Sequence, residues 1–362
     1  MYTAFTVKNF RGFRELTVGP LGRVNLIAGK NNVGKTALLE ALWWHSGPDL
    51  PDIGMRVDAF RGLPLHDPQE FLWDLFLGFD PHTTIELGAV GDWGDGLRQL
   101  RVTIRERKTT RVALGEEAVG GGLRSSDPAA GAREELALEY IDETGNAFAS
   151  RGWRIVQQAG LIVQEGMEKE QQNVPGRPVS VYIPARRPPK PDEDAGRFGK
   201  IQVAGAEARI IEILRHVDSR INRLLIIPIR DVPVVHADIG LPRLIPLPLL
   251  GDGMARLLSL AVSFDTAKGG LLLVDEVENG FHYTVMKQVW ASIAELARVY
   301  DVQVFATTHS EECVRSAHEA FQEKSPYDFR LHRLERVDKD LRVVTYSQQT
   351  LGAALEAGIE VR

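Results

Sequence analysis

The sequence has a single cysteine, no long apolar run and no excess of positive charge. One cysteine, Cys313, in 362 residues excludes an internal disulfide and a Cys-rich zinc site, and it agrees with a reducing compartment. No stretch approaches the roughly 20 apolar residues of a membrane helix, and the N-terminal residues lack the apolar core of a secretory signal. We therefore expect a cytoplasmic protein that does not enter a membrane.

A net charge of −6 and a pI of about 5.9 argue against a dedicated nucleic-acid binder. The densest basic segment, RQLRVTIRERKTTR, contains Arg98, Arg101, Arg105, Arg107, Lys108 and Arg111. Strand alternation places most of its arginines opposite Val102 and Ile104, which favours a solvated sheet face. DNA binding stays open, but the charge does not indicate it.

Two lobes and an insertion are indicated by the distribution of predicted elements. The first lobe, residues 1–160, has strands at 2–7 and 24–28, a helix that begins at Lys35 or Thr36, and strand-like runs near 83–90, 98–106, 136–141 and 152–158. These alternating runs, joined by turns, indicate an antiparallel sheet. The insertion, residues 161–250, has a strand at 179–183 and a helix over about 204–225, where apolar residues keep a helical period.

The second lobe, residues 251–362, alternates helices with strands. Helices are predicted at 254–266, 283–299 and 311–322, and strands at 271–275, 302–307, 329–337 and 341–347. Such alternation predicts a mostly parallel sheet with helices on both faces. The predicted fold class is therefore α/β, with a flanking antiparallel sheet and a helical insertion.

The segment GKNNVGKT, at 29–36, matches G-x-x-x-x-G-K-[ST] at every fixed position. A hydrophobic strand precedes it and a helix follows, which is the context that a phosphate-binding loop needs. Its backbone N–H groups would surround the phosphates, Lys35 would bridge the β- and γ-phosphate oxygens, and Thr36 would ligate Mg²⁺. The predicted cofactors are ATP and Mg²⁺, and the predicted nucleotide-binding residues are Gly29, Asn31, Asn32, Val33, Gly34, Lys35, Thr36 and Ala37.

The apolar run GGLLLV ends in two carboxylates, Asp275 and Glu276. Its composition is typical of a buried parallel strand, whose carboxyl end is where open α/β sheets bind ligands. Asp275 is the predicted metal ligand beside Thr36, and Glu276 is the predicted base that orients and deprotonates the attacking water. Many strands end in acidic turns, but in combination with the phosphate-binding loop this pair indicates nucleotide hydrolysis.

The following strand ends in Thr308-His309-Ser310. If it lies beside the Asp275 strand, His309 reaches the γ-phosphate as a hydrogen-bond donor. A histidine at a strand end is more often structural, but this position favours function. The predicted catalytic residues are therefore Glu276, His309 and Lys35.

Another Gly-rich segment, Gly251-Asp252-Gly253-Met254, opens the helix MARLLSLAVSF. The start of a helix presents unpaired backbone N–H groups, which bind anions. From the residues alone, two interpretations are open: an anion-binding helix start, or an ordinary turn with Asp252 as the N-cap.

The order of these motifs resembles that of ABC-type P-loop ATPases, in particular the SMC/RecF-like branch and the stand-alone ATPases related to the OLD (overcoming lysogenization defect) proteins. The resembling segments are VKNFRGF at 7–13, LIAGKNNVGKTALLEAL at 26–42, LGDGMARLLSLA at 250–261, LLLVDEVENGFHY at 271–283 and FATTHSEEC at 305–313. The resemblance implies an ABC-type fold and Mg²⁺-dependent ATP hydrolysis.

The resemblance also implies a homodimer that encloses ATP. Gly251, Gly253 and Met254 would then bind the γ-phosphate of the partner subunit's ATP, and the loop 278–280 would link the two sites. Gly-Asp-Gly-Met replaces the common Ser-Gly-Gly, so the contact lacks a serine hydroxyl. Arg11, like Arg14, would be either a phosphate-contacting arginine or an exposed sheet-edge charge. Gln69 is the candidate for the glutamine that usually contacts Mg²⁺.

Many OLD-type relatives carry a C-terminal Toprim nuclease domain, which we do not expect here. The 53 residues after His309 are too few for it in addition to the predicted helix and strands. The segment 338–340, Asp-Lys-Asp, has the D-x-D pattern of a Toprim metal site. It lies between two alternating strands, however, and is therefore predicted to be a hairpin turn.

These observations favour an ATP-driven switch that acts on a separate effector protein, a nuclease or a toxin. The resemblance to OLD-related ATPases favours anti-phage defence as its process. The alternative process is DNA repair of the RecF/SMC kind. A transporter subunit is disfavoured by the FRGF start and the wide insertion, and a non-catalytic scaffold is disfavoured by the retention of both Asp275 and Glu276. The segment 185–250 is the candidate docking surface, unless it merely packs on the sheet.

Overall fold

The computed structural model describes residues 1–47, 73–92, 94–106, 134–158, 161–166, 178–185, 190–323, 325–338 and 340–362. The strands are β1 (Tyr2–Phe10), β2 (Phe13–Val18), β3 (Val24–Ala28), β4 (Ile85–Gly91), β5 (Gly94–Glu106), β6 (Glu134–Ile141), β7 (Ala147–Gln158), β8 (Leu161–Gly166), β9 (Ser180–Ile183), β10 (Arg223–Ile229), β11 (Val232–Asp238), β12 (Ile245–Pro246), β13 (Leu271–Val274), β14 (Gln303–Thr307), β15 (Phe329–Val337) and β16 (Asp340–Tyr346). The helices are α1 (Lys35–Ser46), α2 (Pro191–Val203), α3 (Glu207–Arg215), α4 (Asp252–Thr266), α5 (Met286–Val299), α6 (Glu311–Gln322) and α7 (Gln348–Glu356).

The central sheet has six strands in the order β16-β15-β3-β14-β13-β9. All neighbours pair in parallel except the β15–β16 hairpin. β3, β13 and β14 are buried along their whole length, as their apolar composition predicts. Helix α1 covers one face, and α4, α5 and α6 belong to the hydrophobic core on the other. The predicted mostly parallel α/β sheet is confirmed.

The second large sheet is antiparallel and has the order β2-β1-β4-β5-β6-β7-β8. Its β5 contains the basic segment. Arg101 is half-exposed, 3.9 Å from a carboxylate oxygen of Glu86 and 3.9 Å from one of Glu139, so the predicted solvated sheet face is confirmed at this residue. Arg98 departs from the prediction, because it is buried with its Nε 2.7 Å from Glu143 Oε2. Arg107, Lys108 and Arg111 lie outside the described residues. β8, in the region assigned to the insertion, pairs with β7 of this sheet.

Helix α1 is enclosed between the two sheets. Its residues from Ala37 to Ser46 are all buried, including Glu40 and two tryptophans. His45 ties the C-terminal end of the helix to the antiparallel sheet, because its Nδ1 lies 2.8 Å from the Tyr2 hydroxyl and its Nε2 lies 3.1 Å from the Arg98 carbonyl oxygen. A helix buried on all sides is held rigidly by packing, and the loop at its N-terminus is fixed with it.

The single helix predicted over 204–225 is wrong. Gly205, at φ +68°, ends the turn after α2, and α3 ends at Arg215. The apolar residues after 221 instead form β10, which pairs with β11 through a two-residue turn at Arg230 and Asp231, both at positive φ. Hairpin pairing overrides the apparent helical period, because Leu224 and its partner Ala237 become buried against the helices.

The C-terminal hairpin is as predicted. Val337 pairs with Asp340 across the turn, where Asp338 has a φ of +55°, and Lys339 lies outside the described residues. Helices α2 and α7 and strands β2, β8 and β10 to β12 were not predicted. In the described part of the chain, no helix is long and apolar enough to cross a bilayer.

Candidate active site

A cavity of about 730 Å³ opens at the carboxyl edge of the central sheet. Its lining includes most of the predicted nucleotide-binding loop, the two predicted acidic residues and the predicted histidine, namely Asn31, Asn32, Val33, Gly34, Lys35, Thr36, Ala37, Asp275, Glu276 and His309. The parallel register of β3, β14 and β13 brings these segments together, because each follows the carboxyl end of one of these strands.

The phosphate-binding loop requires glycine at two positions. Gly29 has a φ of +150°, and a Cβ there would lie 2.6 Å from the Leu334 carbonyl oxygen. Gly34 has a φ of +102°, and its Cβ would lie 2.9 Å from the Phe13 ring. Lys35 Nζ donates to the carbonyl oxygens of Gly29, at 2.6 Å, and Lys30, at 3.0 Å. The loop is therefore compact, and burial lowers the pKa of Lys35.

The hydroxyl of Thr36 and the carboxylate of Asp275 meet at the base of the cavity. Thr36 Oγ1 lies 3.2 Å from Oδ1 and 3.1 Å from Oδ2 of Asp275, and Thr307 Oγ1 donates to Asp275 Oδ1 at 2.5 Å. Burial raises the pKa of Asp275, and the two hydroxyl donors and Lys35 oppose that rise. Among the described residues, no group of three or more His, Cys, Asp or Glu side chains could hold a metal ion alone. A metal here would need further oxygen ligands, such as water or phosphate.

Arg256 fixes the end of β13, a role that sequence reasoning missed. Its side chain, on α4, is buried and donates from Nη2 to the carbonyl oxygens of Asp275 and Glu276, both at 2.9 Å. Glu276 has a φ of +46°, which is strained for a residue with a side chain. Its N–H donates to Thr307 Oγ1 at 2.8 Å. The turn that presents Glu276 is therefore held from both sides.

Two residues of the loop after β13 hold the predicted catalytic side chains. Asn279 Nδ2 donates to Glu276 Oε2 at 2.7 Å. Glu278 Oε1 accepts from the Thr308 hydroxyl at 2.7 Å and from the His309 backbone N–H at 3.0 Å. The His309 ring lies with Nδ1 3.3 Å from Glu278 Oε1 and 4.0 Å from Glu276 Oε1. The structure thus brings Glu276 and His309 together.

Arg11 lies at the cavity wall, whereas Arg14 is exposed on β2 and does not line the cavity. Arg11 is itself at a φ of +50°, in the turn between β1 and β2. Its Nε lies 2.9 Å from Oε2 of Glu40, a carboxylate buried in α1. Arg11 is therefore not an exposed sheet-edge charge, and its contact with a phosphate stays a prediction.

Gly251, Gly253 and Met254 lie outside the cavity. Met254 is buried in the core at 3% exposure, so its side chain does not reach a ligand. Gly251 and Asp252 are exposed at the start of α4, and a Cβ on Gly253 would lie 2.5 Å from the Gly280 carbonyl oxygen. The alternative with Asp252 as N-cap is wrong, because the cap position belongs to Gly251 and no side chain caps the helix.

Eight cavity residues were not identified from the sequence. Gly12, Phe13 and Glu40 lie beside Arg11 and the phosphate-binding loop. The other five come from more distant elements: Tyr182 lies in β9, Pro184 and Ala185 directly follow it, and Arg336 and Leu341 come from the β15–β16 hairpin. Tyr182 stacks on Trp43 of α1 at a centroid distance of 5.1 Å. No local motif marks these residues, because their positions depend on which strands flank β3 and β13. Gln69 lies outside the described residues.

Family comparisons agree with this geometry. Residues 143–315 match the family described as "AAA domain, putative AbiEii toxin, Type IV TA system", and residues 1–47 match the family described as "AAA ATPase domain". Together the two segments contain the phosphate-binding loop, the Asp275-Glu276 turn and His309. The chain carries AAA-family ATPase domains. It is an ATP-hydrolysing enzyme of the P-loop class.

Relatives and solved structures extend the likeness to the whole chain. An "ATP/GTP phosphatase" of Helicobacter pylori is 21% identical over 370 residues, which cover 97% of each chain. An SMC head bound to the C-winged helix domain of ScpA has a TM-score of 0.51 at 13% identity and covers 98% of this ATPase and 99% of its own chain. An Smc head derived from Pyrococcus furiosus, bound to the C-terminal domain of ScpA, has a TM-score of 0.50 at 12% identity, with 98% of both chains covered. The ATPase therefore has the ABC-type fold of SMC heads.

Proposed function

We propose that this ATPase binds ATP with Mg²⁺, closes around it as a homodimer and thereby controls a separate effector protein. One observation carries the proposal. Most of the phosphate-binding loop, Asp275, Glu276 and His309 line one cavity, whereas the exposed helix start at Gly251 does not line it. We expect the first set to bind and hydrolyse a nucleotide, whereas the helix start would reach a nucleotide only in a partner subunit.

The residues at the base of the cavity fit a magnesium ion. The Thr36 hydroxyl and the Asp275 carboxylate are hard oxygen donors, and their oxygens lie within 3.2 Å of each other. When bound between these residues and the phosphates, Mg²⁺ would neutralise charge on the β- and γ-phosphate oxygens. Lys35 would add a positive charge to the same oxygens. Its bonds to the carbonyl oxygens of Gly29 and Lys30 keep the side chain within the loop.

Glu276 and His309 are the proposed catalytic side chains. Glu276 would orient a water and take its proton, because it lies at the cavity wall with one carboxylate oxygen held by Asn279. His309 would donate to the γ-phosphate, because its ring lines the same cavity within 4.0 Å of Glu276. Neither side chain is buried, so both can reach a bound nucleotide.

The dimer follows from the position of the helix start. Gly251 and Asp252 are exposed and do not line their own cavity, and two neighbouring side chains, Leu249 and Tyr283, are exposed at 76% and 66%. In a symmetric pair, each such surface would close the cavity of the other chain. ATP would then link two protomers, and its hydrolysis would release them.

The proposed process is anti-phage defence, with a nuclease or toxin as the effector. The family matched over 143–315 supports this, since its description names a toxin of a toxin–antitoxin system. The solved SMC heads support a protein partner, since both are described as bound to ScpA. The segment 185–250 of the insertion is the proposed docking surface. DNA repair of the RecF/SMC kind is the second candidate, favoured by the same fold likeness.

Hydrolysis and binding measurements test the ATPase assignment. Lys35→Ala should abolish both ATP binding and phosphate release, whereas Glu276→Gln should bind ATP but release no phosphate, because an amide cannot take a proton from water. Lys30→Ala is the matched control, since Lys30 is exposed in the same loop and its side chain does not line the cavity. Hydrolysis by Glu276→Gln at the wild-type rate would show that the base is assigned wrongly.

A further inference from the structure

Glu278 is a nearly buried carboxylate whose contacts are concentrated on one oxygen. Its side chain is 14% exposed, and Oε1 lies close to three groups: it accepts from the Thr308 hydroxyl at 2.7 Å and from the His309 N–H at 3.0 Å, and the His309 Nδ1 lies 3.3 Å away. All three belong to the segment that follows β14, while Glu278 belongs to the loop that follows β13. One carboxylate therefore joins the two loops.

The His309 ring needs such a partner because packing does not hold it. Its side chain is 49% exposed, and an exposed ring rotates freely unless a hydrogen bond fixes it. The other carboxylate nearby, on Glu276, is 4.0 Å from Nδ1, beyond hydrogen-bond distance. Arg362 reaches only the backbone carbonyl oxygen of His309, at 3.3 Å. Among the described residues, Glu278 is thus the side chain that can orient the imidazole.

We propose that Glu278 is a positioning residue, which holds His309 with the proton on Nδ1 so that Nε2 is presented to the γ-phosphate. The inference rests on the proposed function of His309. In the neutral ring, a proton on Nδ1 leaves Nε2 as an acceptor. A ring protonated at both nitrogens can donate to Glu278 and to a phosphate oxygen at the same time, and that is the form that would stabilise charge on the transferred phosphate.

A purely structural role predicts a different result. Glu278 also ties the backbone of His309 and the side chain of Thr308, so its loss could loosen the loop without any specific effect on the ring. A loosened loop would lower activity whether or not an imidazole is present. A positioning role has an effect only through the imidazole. The two roles therefore differ in a double-mutant cycle with His309.

Glu278→Gln is a conservative partner for Glu278→Ala. Oε2 of Glu278 is buried and has no hydrogen-bond partner among the described residues. The amide oxygen can therefore take the place of Oε1 and accept the same bonds, while the amide nitrogen takes the place of Oε2 without meeting a donor. We expect Glu278→Gln to fold and to retain more activity than Glu278→Ala. Glu311→Ala, an exposed carboxylate two residues after His309, is the matched control and should turn over ATP as wild type does.

The experiment compares steady-state ATP hydrolysis by wild type, Glu278→Ala, Glu278→Gln, His309→Ala and the double variant Glu278→Ala/His309→Ala. Glu278→Ala should lower kcat by about 10- to 100-fold with little change in KM, the size of effect seen when a carboxylate that orients a metal-bound histidine is removed. In the His309→Ala background the same change should alter kcat by less than about twofold. An equal loss in both backgrounds would overturn the positioning role.

Nitrogen NMR of the ring gives a readout that does not need activity. Wild type should show His309 with its proton on Nδ1 when neutral, Glu278→Gln should keep this tautomer, and Glu278→Ala should lose the preference. An unchanged tautomer in Glu278→Ala would contradict the inference. If His309→Ala hydrolysed ATP at the wild-type rate, the proposed function of His309 would fail instead, while the NMR result would still decide whether Glu278 orients the ring.

Discussion

Gly253 is outside the cavity, yet we expect its replacement by alanine to impair catalysis. A Cβ at this position would lie 2.5 Å from the Gly280 carbonyl oxygen, where ordinary contacts begin at 3.4 Å. The obstacle is a backbone atom, so it cannot rotate away as a side chain could. Gly280 itself is at a φ of +82°. The loop after β13 or the start of α4 must therefore move by about 0.5–1 Å. Backbone shifts of this kind are how proteins relieve the steric overlap that an added methyl group creates.

The expected loss in kcat can be judged from the residues that the loop after β13 contains. Asn279 and Glu278, directly before Gly280, contact Glu276 and His309 at 2.7 and 3.3 Å. A displacement approaching 1 Å at catalytic groups costs up to about 100-fold in rate, so we expect kcat to fall about 10- to 100-fold. The overlap should also cost about 1–3 kcal/mol of folding free energy, offset by at most about 1 kcal/mol from the better helix propensity of alanine.

Phosphate release and thermal unfolding measured on the same preparation test this reasoning. Gly196→Ala is the control, because Gly196 is also helical, in α2, and a Cβ there meets nothing within 4 Å. It should hydrolyse ATP as wild type does and melt at the same or a slightly higher temperature. Gly253→Ala with wild-type kcat and an unchanged melting temperature would show that the contact with Gly280 does not constrain the catalytic loop.

Three further predictions concern the dimer, the nucleotide and acid stability. Light scattering on Glu276→Gln should show a doubled mass with ATP and Mg²⁺, because binding without hydrolysis traps the closed pair, and a mass that stays monomeric would refute the dimer. Arg336→Ala should raise KM by about fivefold or more without lowering kcat, because the guanidinium lines the cavity on the opposite side of β3 from His309; an unchanged KM would exclude a nucleotide contact. Burial lowers the pKa of His45 to about 4 and of His332 to about 3. Both imidazoles bind protons more readily in the unfolded chain, so the free energy of unfolding should fall as the pH drops below about 6.5, by about 4 kcal/mol for the two together at pH 5. Asp194, whose pKa burial raises to about 6, offsets part of this loss; a urea midpoint equal at pH 7.5 and pH 5 would contradict the prediction.

The phosphate-binding loop and the acidic strand end could be predicted because each is contiguous in sequence. A glycine-rich loop followed by Lys35 and Thr36 indicates the backbone conformation of a phosphate-binding loop. An apolar run followed by Asp275 and Glu276 indicates a buried strand whose carboxyl end carries the ligand-binding side chains. Their meeting point also follows from the sequence, since parallel strands place their carboxyl ends on one edge. His309 was located by the same argument.

The supporting residues could not be predicted, because no local pattern distinguishes them. Arg256 is one arginine in an amphipathic helix, and only the packing of α4 on β13 shows that it holds the Glu276 turn. Arg336 belongs to an alternating strand, and only the placement of β15 beside β3 brings it to the cavity. The error over 204–225 has the same origin, since the pairing of β10 with β11 overrides the helical spacing of the apolar residues.

Helix α4 connects the proposed docking surface with the catalytic loop. At its start, Arg256 and Gly253 contact the loop that holds Glu276 and His309. Farther along, Ser259 donates to the buried carboxylate of Asp194 at 2.5 Å, on α2 of the insertion. An effector bound to the insertion would therefore meet a rigid helix whose other end fixes the catalytic residues. A shift of α4 would move the docking surface and the catalytic loop together. Closure around ATP would in this way alter the surface that a bound partner contacts.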